Sequence, residues 1–97
     1  MSTYQLSIIT PNGKVFDGQV ESIVATGMDG SLGVLAGHTP LVVALKNGPL
    51  KVKTPTAEKF YAVSKGILEV GRQNHVFILS DYATEKDTLE EANRYTS

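Results

Sequence analysis

From residue 4 to residue 80 the apolar side chains come in short runs separated by turn residues, and no stretch holds the i, i+3, i+4, i+7 spacing of an amphipathic helix. "YQLSIIT" at 4–10 alternates, with Tyr4, Leu6 and Ile8 on one face and Gln5, Ser7 and Thr10, interrupted only by Ile9, on the other; this predicts a strand with one strongly apolar side. Pro11-Asn12-Gly13 reads as a reversal, because Asn-Gly accepts the positive φ of a tight turn, and residues 14–16 resume an extended course. Gly18 breaks the run. In "QVESIVAT" Val20 and Ile23 lie three apart, which strict alternation cannot place on one face, so a bulge is expected near Glu21 and Ser22. "GMDG" then turns the chain into "SLGVL", "AGHTP" carries it to "LVVAL", and Asn47-Gly48-Pro49 turns it into "LKVK", with Leu50 and Val52 inward and Lys51 and Lys53 toward water. After a polar connection at 54–58 come "KFYAVS", a break at Lys65-Gly66, "ILEV", a turn at "GRQN" and "HVFILS". Turn signals recurring about every 8 to 12 residues predict a mainly β chain, an antiparallel sandwich or barrel of nine or ten strands.

The texture changes at Asp81. From Lys86 onward "KDTLEEANRYTS" has neither glycine nor a β-branched core, and Thr88 with Glu91 three residues later matches a capping box. A short C-terminal helical stub is expected, its apolar side chains limited to Leu89, Ala92 and Tyr95. A helix this short is marginal in water and should fray unless something holds it. The expected organisation is a sandwich domain at 1–84 and the start of a helix at 85–97.

Composition narrows the chemistry. Ninety-seven residues with 41% hydrophobic and 20% charged side chains suit one small folded domain. Such a chain buries only about 60 to 65% of its unfolded surface, leaving little room for a deep catalytic cleft. The absence of cysteine excludes disulfide staples, thiolate catalysis and iron–sulfur ligation. The longest aliphatic run, 41–45, is far too short to span a bilayer, and no basic segment leading into an apolar one opens the chain, so it is expected either to stay in the compartment of synthesis or to have lost a processed signal. Net charge is −1, with the excess acid in residues 81–97, which gives no footprint for nucleic acid. Lys46, Lys51, Lys53 and Lys59 lack interleaved aromatics and read as a solvated strand face.

Candidate chemistry is sparse. Gly27, Gly30 and Gly33 are spaced G-x-x-G-x-x-G but join strand to strand, so they read as turn geometry and close backbone approach, not as a nucleotide phosphate cradle. His38 and His75 are too few for a metal site without carboxylates from distant strands; His38 reads as a loop anchor and His75 as a strand-edge residue. Ser64, His38 and Asp81 are triad residue types with no spacing that brings them together. No catalytic, metal, nucleotide or cofactor site emerges, which favours an adaptor; a small-ligand or peptide-binding sandwich is the alternative.

"ITPNGKVFDGQVESIVATG", "GSLGVLAGHTPLVVALKNGPLKV", "FYAVSKGILEV" and "VFILSDYA", in that order, resemble the N-terminal domain of the epsilon subunit of the rotary F-type ATP synthase over nearly the whole chain. The resemblance implies a flattened ten-stranded antiparallel β-sandwich before a helical hairpin that is mostly absent here. It implies a noncatalytic rotor component of the central stalk, peripheral to the membrane on the cytoplasmic face of a bacterial inner membrane or the equivalent organelle face. Its implied partners are the gamma subunit, through positions matching Thr10, His38 and Val43, and the polar loops of the c ring, through positions matching Gly30, Ser31 and Leu32. Membrane contact is then only indirect. Two departures stand out. Lys65 replaces the first glycine of a Ser-Gly-Gly turn, so the turn either accepts Lys65 at negative φ or differs locally. "LEEANR" carries Glu90 and Asn93 where the family's ATP-sensing motif has aspartate and arginine, so ATP sensing is not implied.

Overall fold

A computed structural model describes residues 2–96 as ten strands followed by one helix. The strands are β1 (Tyr4–Thr10), β2 (Gly13–Val20), β3 (Ser22–Gly27), β4 (Gly30–Leu35), β5 (Leu41–Leu45), β6 (Gly48–Lys53), β7 (Glu58–Val63), β8 (Gly66–Val70), β9 (His75–Ser80) and β10 (Ala83–Lys86), and the helix is α1 (Leu89–Thr96). Hydrogen-bonded neighbours follow the order β10-β7-β6-β3-β5-β8-β9-β1-β2, with β4 on the other flank of β3. β3 and β5 share one paired position, Gly27 opposite Leu45, and there the path folds into two layers. The first layer holds β10, β7, β6, β3 and β4; the second holds β5, β8, β9, β1 and β2. Pairing is antiparallel except between β1 and β9, which run parallel from Gln5 opposite His75 to Ile9 opposite Leu79.

Two-residue alternation builds the core. Leu6 and Ile8 of β1, Leu68 of β8 and Ile78 of β9 meet Ile23 of β3, Leu50 and Val52 of β6 and Tyr61 of β7, all fully buried. Each such side chain contributes about 1.5 to 3 kcal/mol by leaving water. The layers are also tied by a polar contact: the Tyr4 hydroxyl donates to the Val34 carbonyl of β4 at 2.7 Å, beside the pairing of Val34 with Ile23 of β3. Phe16 of β2 meets Tyr61 of β7 edge-on at 6.4 Å.

Several sequence expectations are corrected. Val20 and Ile23 belong to different strands, because the chain bends at Glu21 and crosses between layers; the bulge lies instead in β2, where Val15 is the extra residue opposite the step from Ile8 to Ile9. β2 runs unbroken through Gly18, which lies beside the Phe16 ring. The turn before β6 is confined to residues 46–47, and Gly48 and Pro49 already pair with Val63 and Ala62. A Cβ at Gly48 would overlap the Thr26 side chain, whose hydroxyl donates to the Pro49 carbonyl at 2.9 Å. Lys65 is not among the positive-φ residues, so the first alternative for that turn holds, and Gln73 and Asn74 (φ 63° and 61°) supply the left-handed pair of the "GRQN" turn.

The stub is held. The Glu91 amide donates to the Thr88 hydroxyl at 3.1 Å, Ala92 is fully buried against the first layer, and Tyr95 sits edge-on to Tyr82 with the Lys86 ammonium 4.0 Å from its ring centre. The expected boundary between 84 and 85 falls inside β10, which pairs with β7 from Ala83 to Lys86.

Candidate functional site

The glycine-rich stretch forms a lip. β3 and β4 make a hairpin around the turn 28–29, and Gly30 opens β4 at φ 127°, a conformation that favours glycine. A Cβ on Gly27 would press on the Gly30 carbonyl at 3.0 Å, so the hairpin closes tightly only without one. Between this lip and β5 runs a groove of about 420 Å³ lined by residues 27–32 and 42–44. It unites Gly30, Ser31 and Leu32 with Val43, residues that the family resemblance assigns to two different partners. Ser31 is exposed, whereas Leu32 and Val43 are half-buried; alternation along β5 turns Val42 and Ala44 outward in place of Val43.

Thr10 and His38 lie far apart. Thr10 closes β1, where its hydroxyl donates to the Gly13 carbonyl and accepts the Asn12 amide, both at 3.2 Å, so it fastens the first turn. His38 lies between β4 and β5. Its amide bonds the Leu35 carbonyl at 3.3 Å and its Nδ1 the Thr39 carbonyl at 2.8 Å, the loop-anchoring role expected of it. Asn74 ties that loop to the start of the chain, accepting from the Gly37 amide at 3.1 Å and donating to the Thr3 carbonyl at 2.9 Å. The two residues therefore mark opposite ends of the second layer.

Sequence reasoning missed the outward face of that layer. Register places Ala44, Ile67, Leu79 and Ile9 in one row across β5, β8, β9 and β1, and Val42, Glu69, Phe77, Ser7 and Asp17 in the next. Val42, Ile67 and Leu79 are 69%, 45% and 42% exposed. A contiguous apolar surface of this kind marks an interaction site more often than scattered exposed side chains do. Each strand alone shows only one or two such residues, so the row becomes visible once pairing is known.

The Ser64, His38 and Asp81 side chains do not assemble: the Ser64 hydroxyl accepts the Asp81 and Tyr82 amides at 2.9 and 3.1 Å, and His38 sits at the far end. Another trio does meet, across β1, β2 and β9. The Ser7 hydroxyl lies 2.8 Å from an Asp17 carboxylate oxygen and 3.0 Å from His75 Nε2. Here the serine is the middle member and only 1% exposed, whereas a nucleophilic triad needs imidazole between serine and carboxylate. His75 opens an inner strand, flanked by β8 and β1, and is not at a sheet edge. Among the described residues no three His, Asp or Glu side chains group to hold a metal ion, and no helix is long and apolar enough to cross a membrane. Lys51, Lys53 and Lys59 pair with Glu58, Glu21 and Glu85 at 3.2, 3.8 and 3.5 Å, forming a solvated, ion-paired face on the first layer.

Residues 3–86 match the family model described as ATP synthase, Delta/Epsilon chain, beta-sandwich domain. The ATP synthase epsilon chain of Psychrobacter sp. (strain PRwf-1) is 38% identical over 93 residues, covering 95% of this chain and 67% of the relative. That of Alkalihalophilus pseudofirmus is 42% identical over 83 residues, covering 86% and 62%. The chain thus spans about two thirds of the length of these relatives. Among solved structures, a chain of the Euglena gracilis mitochondrial ATP synthase OSCP/F1/c-ring assembly matches with a TM-score of 0.83 at 24% identity, over 94% of this chain and 59% of that one. A chain of the Tetrahymena thermophila mitochondrial ATP synthase central stalk and c-ring matches with a TM-score of 0.72 at 20% identity, over 84% and 66%. At these identities the structural likeness speaks to the fold.

Proposed function

The chain belongs to the delta/epsilon-chain β-sandwich family of ATP synthase, and from that membership we propose that it serves as a noncatalytic, epsilon-type component of the rotor, linking the gamma subunit to the c ring. In this role it is peripheral to the membrane, on the cytoplasmic face of a bacterial inner membrane or its organelle equivalent, and couples proton translocation to ATP synthesis mechanically. The outward apolar row of Ala44, Ile67, Leu79 and Ile9, extended by Val42 and Phe77, is the observation that carries the reading, because it gives a partner chain a broad surface to bury.

Thr10, His38 and Val43 are assigned to gamma. They belong to the second layer or the loop leading into it, spread along its length, which suits an elongated partner. Gly30, Ser31 and Leu32 are assigned to the polar loops of the c ring: glycine at the lip lets backbone meet backbone. A close-packed sandwich transmits strain between the two instead of absorbing it.

The test is capture by purified gamma. Leu79→Glu, which puts a charge into the apolar row, is expected to weaken binding more than about tenfold, and Lys53→Ala, on the ion-paired face, to change it less than about twofold. A folded wild-type chain that neither bound gamma nor restored coupling to an epsilon-depleted enzyme would rule the assignment out.

A further inference from the structure

Beside the apolar row, the outward face of β2, β1 and β9 carries a continuous polar relay. Thr3 donates to Gln19 at 2.9 Å, Gln19 to Gln5 at 2.7 Å, and Gln5 to Asp17 at 2.7 Å. Asp17 also accepts from Ser7 at 2.8 Å and from the Lys14 ammonium at 3.1 Å. Ser7 then reaches His75, whose ring stacks on Phe77 with centroids 4.0 Å apart and planes inclined by 19°. Chemistry fixes the direction of every link. The ionised Asp17 carboxylate only accepts, so the single Ser7 proton points to it. The Ser7 lone pair is left facing His75 Nε2, which must therefore carry the hydrogen. In the neutral ring Nδ1 is then a bare acceptor. Nδ1 has no hydrogen bond among the described residues and is not sealed from solvent.

We propose that His75 is a specificity-determining residue of the gamma-binding face, its Nδ1 held by the Asp17–Ser7 relay as an acceptor for an N–H or O–H donor on the docked chain. This rests on the rotor reading above and deepens it. Phe77 beneath the ring joins the polar relay to the apolar row, so a chain buried on that row passes over His75. The charged groups around the imidazole do not replace that acceptor. They are Asp17 on β2, engaged through Ser7; Lys14, ion-paired to Asp17; Glu69 on β8, opposite Phe77; and Arg72 in the turn preceding β9.

Two measurements on this chain decide the matter. Nitrogen-15 shifts of the histidine rings in the free protein are expected to show His75 as the Nε2–H tautomer in alkaline solution, and a dominant Nδ1–H form overturns the inference. His75→Phe, which keeps the stacking ring, is expected to bind purified gamma about threefold to tenfold more weakly than wild type, with Ser7→Ala, which leaves the imidazole in place but unfastened, in between. Wild type and His75→Phe binding gamma equally overturns the inference and leaves the rotor reading standing. A wild type that neither binds gamma nor restores coupling removes the rotor reading and this inference with it.

Discussion

Asp17 shows how much a single exposed side chain can be held by its neighbours. Hydrogen bonds from Gln5, Ser7 and Lys14 bring its carboxyl down to about 2 from the ordinary carboxylate value. The unfolded chain lacks these donors and protonates near pH 4. A lowered folded-state value means that the stabilisation is complete above about pH 4 and is lost as the pH falls through about 2. Urea midpoints measured down that range should drop for the wild type, and Asp17→Asn should flatten this part of the profile. An unchanged slope in Asp17→Asn would show that the donors are not engaged in solution. At the same scale, the tolerance of Lys65 at a turn follows from the geometry of its neighbour. Gly66 is the residue that must lack a side chain, since a Cβ there would overlap the Leu79 carbonyl of β9.

At the scale of elements, α1 draws its stability from what it touches. Ala92 is the only helix residue fully buried, and an aspartate there would put an unpaired charge against β6 and β7. Ala92→Asp should abolish the helical part of the far-ultraviolet circular dichroism and leave the tyrosine near-ultraviolet signal of the sandwich core in place. Loss of both would mean that helix and sandwich fold as one unit.

Much of this was legible in the chain. Alternation located nine of the ten strands, and Thr88 marked the start of the helix. The polar run Ala83–Lys86 was not legible, because β10 buries almost nothing and owes its strand to hydrogen bonds with β7. The crossing at Glu21 was read as a bulge because two buried residues three apart fit a kink within one strand as well as a step between two. Of the candidate site, the hairpin lip was legible from its glycines. The apolar row and the Ser7–Asp17–His75 meeting were not, because both arise from pairing between strands distant in sequence.

For the whole molecule, two layers meet through one shared backbone position and a packed core, and the buried Tyr4–Val34 hydrogen bond adds a polar tie between them. Burial pushes the Tyr4 phenol well above its usual range, so the donor stays protonated throughout the accessible pH range. Tyr4→Phe keeps the ring but removes this hydrogen bond, and denaturant unfolding should show a loss of about 0.5 to 1.5 kcal/mol. A change below about 0.5 kcal/mol would mean that the bond adds nothing to the tie between the layers.

The parallel pairing of β1 with β9 has a consequence for biogenesis. β1 cannot take its inner neighbour until residues 75–79 have also left the ribosome, so it must wait, paired at most with β2, while the intervening chain is made. The sandwich therefore closes only once β9 has been made, and products released before residue 75 would expose Leu6 and Ile8 along an open sheet margin, where they are targets for chaperones or for aggregation.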